Sequence, residues 1–191
     1  MRARTGVAVL TGAALVLALG ACSSDAAETS STAPSDNSEA HQAAAGVCRV
    51  LVAFDHTVAD KVNAASRQIT ADTDPDRARE LLLDATEDVR SATGLLPDRY
   101  AVLELTDEGD VGRLVADATA AADDVDEQLD TITAELTDGL EGSDARQILS
   151  AVFIDMEKVQ SLAQPDQTDY SDPDLVEQLD TLPDCEHTIS R

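Results

Sequence analysis

Six side chains in this 191-residue chain are suited to nucleophilic, redox or metal chemistry: Cys22, Cys48 and Cys185, and His41, His56 and His187, set among 38 carboxylates. Their spacing supports little of that chemistry. No two cysteines form the Cys-x-x-Cys pattern that thiol exchange uses. His56 and Asp60 share a helical face and could give a metal two ligands, but a zinc site takes three or four and no second His joins the pattern, so a solvent-exposed His56 is the simpler reading. Asp72, Asp74 and Asp76 alternate as in a calcium loop, yet Arg77 and Leu83 stand where that loop needs Gly and Glu. Asp123, Asp124, Asp126 and Glu127 read as a solvated face, with divalent-cation binding as the sharper alternative. Picking two acids for glycoside hydrolysis would be arbitrary where acids are so common. Gly-x-Ser-x-Gly, Ser-x-x-Lys and phosphate-cradling glycine loops are all missing from the sequence. The expectation is a chain with no catalytic residue, no resident metal and no cofactor.

The clearest local pattern lies at the front. Arg2 and Arg4 precede an apolar run, Val7 to Leu19, too short to span a bilayer, and Leu19-Gly20-Ala21-Cys22 follows. These 22 residues resemble the signal of bacterial lipoproteins, whose lipobox reads Leu, small, small, Cys. The resemblance implies lipidation at Cys22 and removal of residues 1–21, so that the mature chain is anchored to the membrane through Cys22. More than one acyl chain gives stable anchoring where a single one does not. With Cys22 taken by lipid, Cys48 and Cys185 remain in a compartment that permits oxidation, and they are expected to form a disulfide closing a long loop. Beyond the lipobox, the layout resembles small lipoproteins of high-GC Gram-positive bacteria, a likeness that carries over no functional residue.

Charge narrows the partners. The formal charge is −25, and loss of residues 1–21 removes two arginines and no acid, taking it to −27. Nucleic acid, which is bound through Lys and Arg surfaces that displace counterions, is excluded as a partner by 13 basic against 38 acidic residues. Anionic lipid headgroups would repel the same surface. Aromatic residues make up 2% with no Trp, which argues against a sugar-binding platform and requires an aliphatic, Ala-rich core.

Such a composition favours closely packed helices. Residues 23–45 hold Ser, Thr, Ala and acids without a bulky apolar side chain, and with Cys22 they read as a disordered tether of roughly 25 Å reach, His41 being a solvated linker residue. From residue 46 the period becomes helical. A first stripe runs Val47, Leu51, Phe54, Val58, Val62, Ala65 and Ile69. A second opens on Asp74-Pro75 and carries Ala78, Leu82, Ala85, Val89, Ala92 and Leu96, with Gly94 and Pro97 ending it. Residues 98–110 have no clean period and fit a short helix or a packed loop. A third stripe links Val111, Val115, Ala118, Ala122, Val125, Leu129, Ile132 and Leu136 up to Gly139. A fourth, from near Ser143 to Pro165, uses Ala145, Leu149, Val152, Met156, Val159 and Ala163. A short helix from Pro173 follows a polar stretch.

The expected fold is all-α, a four-helix bundle with a short C-terminal helix, closed by one disulfide, over residues 46–191. The expected role is that of a lipid-anchored protein on the extracytoplasmic face of the cell membrane, binding another exported protein without catalysis. Small-ligand or divalent-metal binding is the alternative.

Overall fold

The computed structural model describes residues 38–189, and among them the chain is helical with no β-strand. The lipobox and Cys22 lie outside the described residues. The first helix, α1 (Glu39–Ser66), begins seven residues before the expected boundary at residue 46, because the Ser38 hydroxyl accepts from the His41 backbone N–H at 3.1 Å and caps it. The stretch Glu39 to Ala45 is therefore not tether. Ala40, Ala43 and Ala44 are buried there; their small side chains and high helix propensity let the C-terminal tail approach closely. His41 is half-buried and not a solvated linker residue, its Nδ1 lying 2.8 Å from the Gln178 side-chain oxygen.

Helix α2 (Pro75–Thr93) starts as expected, with the Asp74 carboxylate accepting from the N–H groups of Asp76 and Arg77 and Pro75 in the first turn. Pro97 does not merely stop it. After Gly94 the proline lies in the first turn of a short helix, α3 (Leu96–Ala101), which resolves the ambiguous segment as helix followed by irregular chain through Glu108. That irregular chain crosses the first turn of α4 (Gly109–Ala134) so closely that a Cβ at Gly112 would sit 2.4 Å from the Asp107 carbonyl oxygen. A π-helical turn, Glu135–Gly139, extends α4 to the expected stop at Gly139. Helix α5 (Ala145–Leu162) carries a full capping box, Asp144 with Gln147, and α6 (Pro173–Thr181) is capped by Asp172.

Helix α1 packs on α2, α4, α5 and α6, while α4 and α2 pack on each other and on α5. The seven residues of the first stripe are all buried, as are seven of the eight in the third, with Val115 half-buried. Each Val, Leu or Ile so enclosed contributes about 1.5–3 kcal/mol. The fourth helix is rotated slightly from expectation: Ile148 is fully buried and Leu149 half-buried, and Asp155 joins the enclosed face. The buried Thr86 and Thr93 hydroxyls are satisfied by donating to the carbonyls of Leu82 and Val89. Cys48 and Cys185 are joined by a disulfide spanning 137 residues, which fixes the tail against α1.

Candidate functional site

The residues singled out by type are mostly committed to structure. Cys48 and Cys185 are bonded to each other and fully buried. His56 and His187 are exposed on opposite ends of the chain's order, one on α1 and one in the tail. Asp74 caps α2 and Asp76 pairs with Arg79 at 2.7 Å, so the alternating acids are a helix start. The acidic run on α4 is exposed, and its Asp126, with Asp130, clasps Arg90 of α2 at 2.5 and 2.8 Å. Among the described residues no three His, Cys, Asp or Glu side chains are grouped to hold a metal ion. No helix among them is long and apolar enough to cross a membrane.

Two polar constructions escaped the sequence reading. In the first, the Asp110 carboxylate in the opening turn of α4 accepts from the backbone N–H of Ser171, the Ser171 hydroxyl at 3.0 Å and the backbone N–H of Asp172 at 2.7 Å. Those two backbone donors hold its pKa below the usual carboxylate range, with Arg113 nearby adding to the effect. Arg113 donates to the Asp169 carbonyl at 2.9 Å, and the buried Tyr170 donates its hydroxyl to Asp117 at 3.1 Å. The polar stretch before α6 is thereby riveted to α4.

The second is a groove between α1 and α5. Its floor is Val58, Val62 and Met156, and its walls include Ala59, Phe153 and Gln160, enclosing about 160 Å³. Gln160 reaches across to donate to the Asp55 backbone carbonyl at 3.4 Å. Asp55 stands one turn before Ala59 and so on the same face of α1. Its carboxylate makes no ion pair among the described residues, and burial pushes its pKa up to about 6 against a small opposing pull from His56. Asp55 also raises the pKa of Tyr100, whose own burial raises it more. The Tyr100 hydroxyl is buried and has no hydrogen-bond partner among the described residues. Phe153 is 36% exposed at the groove's edge and Ile154 beside it is 57% exposed.

Other depressions are larger but differently made. One of 370 Å³ between α2 and the end of α4 is lined by Asp76, Arg79, Glu80 and Asp84, with Arg79 already bonded to Asp76 and to the Leu140 carbonyl. Another contains Arg90, fully engaged as described. The α1–α5 groove differs in having an apolar floor edged by the partly exposed Phe153, with Glu157 its one lining carboxylate. Compared with known proteins, the chain matches no family model, no curated protein and no solved structure.

Proposed function

We propose that the chain is a lipoprotein anchored through Cys22 on the extracytoplasmic face of the cell membrane, whose helical domain binds another exported protein and catalyses nothing. In the finer reading of the fold, α1, α2, α4 and α5 are the four members of a helix bundle and α6 is the short tail helix; the packing of α1 and α5 against the other long helices supports this. The single observation that carries the binding reading is the α1–α5 groove with Phe153 and Ile154 left in solvent beside it. Its volume of about 160 Å³ is below the roughly 300–1,000 Å³ of small-molecule pockets and suits one or two side chains of a protein partner. The disulfide accords with an oxidising compartment. Anchoring confines the domain near the membrane and raises its effective concentration for a neighbouring exported protein, so modest affinity suffices.

Crosslinking on intact cells tests this. The anchored chain is expected to capture an exported protein, and Cys22→Ala is expected to release the chain from membranes and reduce capture. Should no protein be captured while a divalent cation or small solute raises the melting temperature of the purified domain, the alternative of ligand binding holds instead.

A further inference from the structure

We propose that residues 173–189 form a redox-latched strap: joined through Cys185 to Cys48 it lies closed on α1, and on reduction by a dithiol it lifts while the other helices stay folded. The strap is a conformational device that goes beyond the binding role and does not depend on it.

The segment is held differently from the long helices. Helices α1, α2, α4 and α5 each pack on the other three, whereas among the described residues α6 packs chiefly on α1 and on the turn Pro183–Cys185 that follows it. With nine residues α6 is shorter than a helix that is stable alone in water, so its form depends on that contact. Leu175 and Leu179 bury its apolar side, and the Gln178 side-chain oxygen lies 2.8 Å from His41 Nδ1. At the near end the strap is hinged on α4, where Asp110 accepts from the backbone N–H groups of Ser171 and Asp172. At the far end the disulfide is backed by the buried Ile189 and by one exposed hydrogen bond, from Gln164 to the His187 carbonyl at 3.0 Å.

Beneath the strap, His41, Ala44 and Cys48 recur at steps of three and four and so share one face of α1; Cys185 Sγ lies 3.7 Å from the Ala44 carbonyl oxygen. Both sulfurs are fully enclosed, so a reductant reaches them only when the strap opens. A small unit resting on a body that holds itself together opens at a lower free energy than the body unfolds. In the open form one thiolate of the dithiol attacks the Cys185 sulfur, the S–S bond breaks and Cys48 leaves as a thiolate. The second thiolate of the dithiol then displaces Cys185, and the dithiol departs as a disulfide. Two electrons pass to the cystine, and the two protons that the dithiol gives up end on Cys48 and Cys185. The freed strap keeps its hinge at Asp110 but loses its far anchor, and the first turns of α1 lose their cover.

The test treats the purified full chain with dithiothreitol in native buffer, labels the thiols released at Cys48 and Cys185, and follows backbone hydrogen exchange. Both cysteines should become labelled without denaturant. Exchange should then rise about tenfold or more in residues 173–189 and 41–48 and change less than about twofold in α2, α4 and α5. Cys48→Ala with Cys185→Ala, which lacks the latch, should show the same pattern without reductant. In the oxidised chain Leu179→Ala should speed reduction several-fold, while Ile132→Val, which weakens α4 and not the strap, should leave the rate unchanged. Equal acceleration by these two substitutions, or reduction only in denaturant, would mean that the bond is reached by global unfolding and would overturn the proposal. A rise in exchange over every helix would overturn it too, since the bond would then hold the whole fold. No rise anywhere would overturn it by showing that packing alone keeps the strap closed.

Discussion

The joint between α4 and the segment before α6 and the groove between α1 and α5 treat polar groups in opposite ways. At the joint, one carboxylate, Asp110, meets three donors, the Arg113 guanidinium takes a backbone carbonyl, and Tyr170 finds Asp117. Around α1 and α5, Asp55 is half-buried and carries no ion pair among the described residues, the Tyr100 hydroxyl has no hydrogen-bond partner among them, and Phe153 at the groove's edge stands partly in water. Polar groups enclosed by a fold are nearly always satisfied, so a region that satisfies every one is built to hold itself together. A region that leaves a carboxylate and an aromatic ring uncommitted adds little to that hold, and it is the region on which the proposed binding role rests. The contrast sorts polar groups by what they contact in a chain where acids are too numerous to be informative one by one.

The largest effect should come from the bond that anchors the tail carrying this joint. Replacing both cysteines, Cys48→Ala with Cys185→Ala, removes a loop closure of 137 residues, worth about 4–5 kcal/mol in the chain-entropy account. Chemical denaturation should show the loss, and an unchanged midpoint would mean that the tail is held by its packing alone.

Asp110→Ala should come next, because it strips three donors of their acceptor at once. Its effect should also depend on pH. The folded-state pKa is depressed, so the stabilisation is present above the ordinary carboxylate range and is lost as pH falls through the depressed value. Parent and variant should therefore differ clearly at neutral pH and converge in strong acid. Thermal melts across that range decide the matter, and parallel curves would place the stabilisation elsewhere.

Asp55→Asn should be the smallest effect and of opposite sign. Burial raises its folded pKa to about 6 from 3.8, so the ionised form destabilises the fold: stability falls as pH rises from about 4 to 6 and is level above. Discounted for its partial exposure to solvent, the gain from Asp55→Asn at pH 7 is about 1 kcal/mol, and it vanishes below pH 4. A destabilised variant at pH 7 would show that the carboxylate has a native partner, and the comparison between the two regions would fail.

The regular helices were legible because burial repeats along them. Every member of the Val47 to Ile69 stripe is enclosed, and the caps at Asp74 and the stop at Gly139 stand where side-chain chemistry places them. The extension of α1 back to Glu39 was not legible. Its face is alanine, which gives no strong apolar signal, and its burial depends on a tail about 140 residues away that supplies Gln178 and Cys185. Pro97 illustrates a different difficulty: proline ends one helix and begins another with equal ease, and only the packing of Leu96 and Tyr100 into the core decides. The joint and the groove were illegible for a common reason. Asp110 and Asp117 look like any of 38 acids until Ser171 and Tyr170 are brought to them from distant sequence, and the groove forms only when Gln160 of α5 reaches the Asp55 backbone carbonyl of α1. Phe153 lay off the fourth stripe in the sequence, and its exposure agrees with that periodicity.

The ring closed by Cys48 and Cys185 also governs how the domain meets proteases. The exposed connections on which nicking concentrates, between α1 and α2, after α3, between α4 and α5 and before α6, all fall between the two cysteines. A single cut in any of them severs the backbone yet leaves the two pieces covalently joined and still packed on one core. Only a second cut, or reduction of the bond, can shed a fragment, so the domain can be nicked and remain whole.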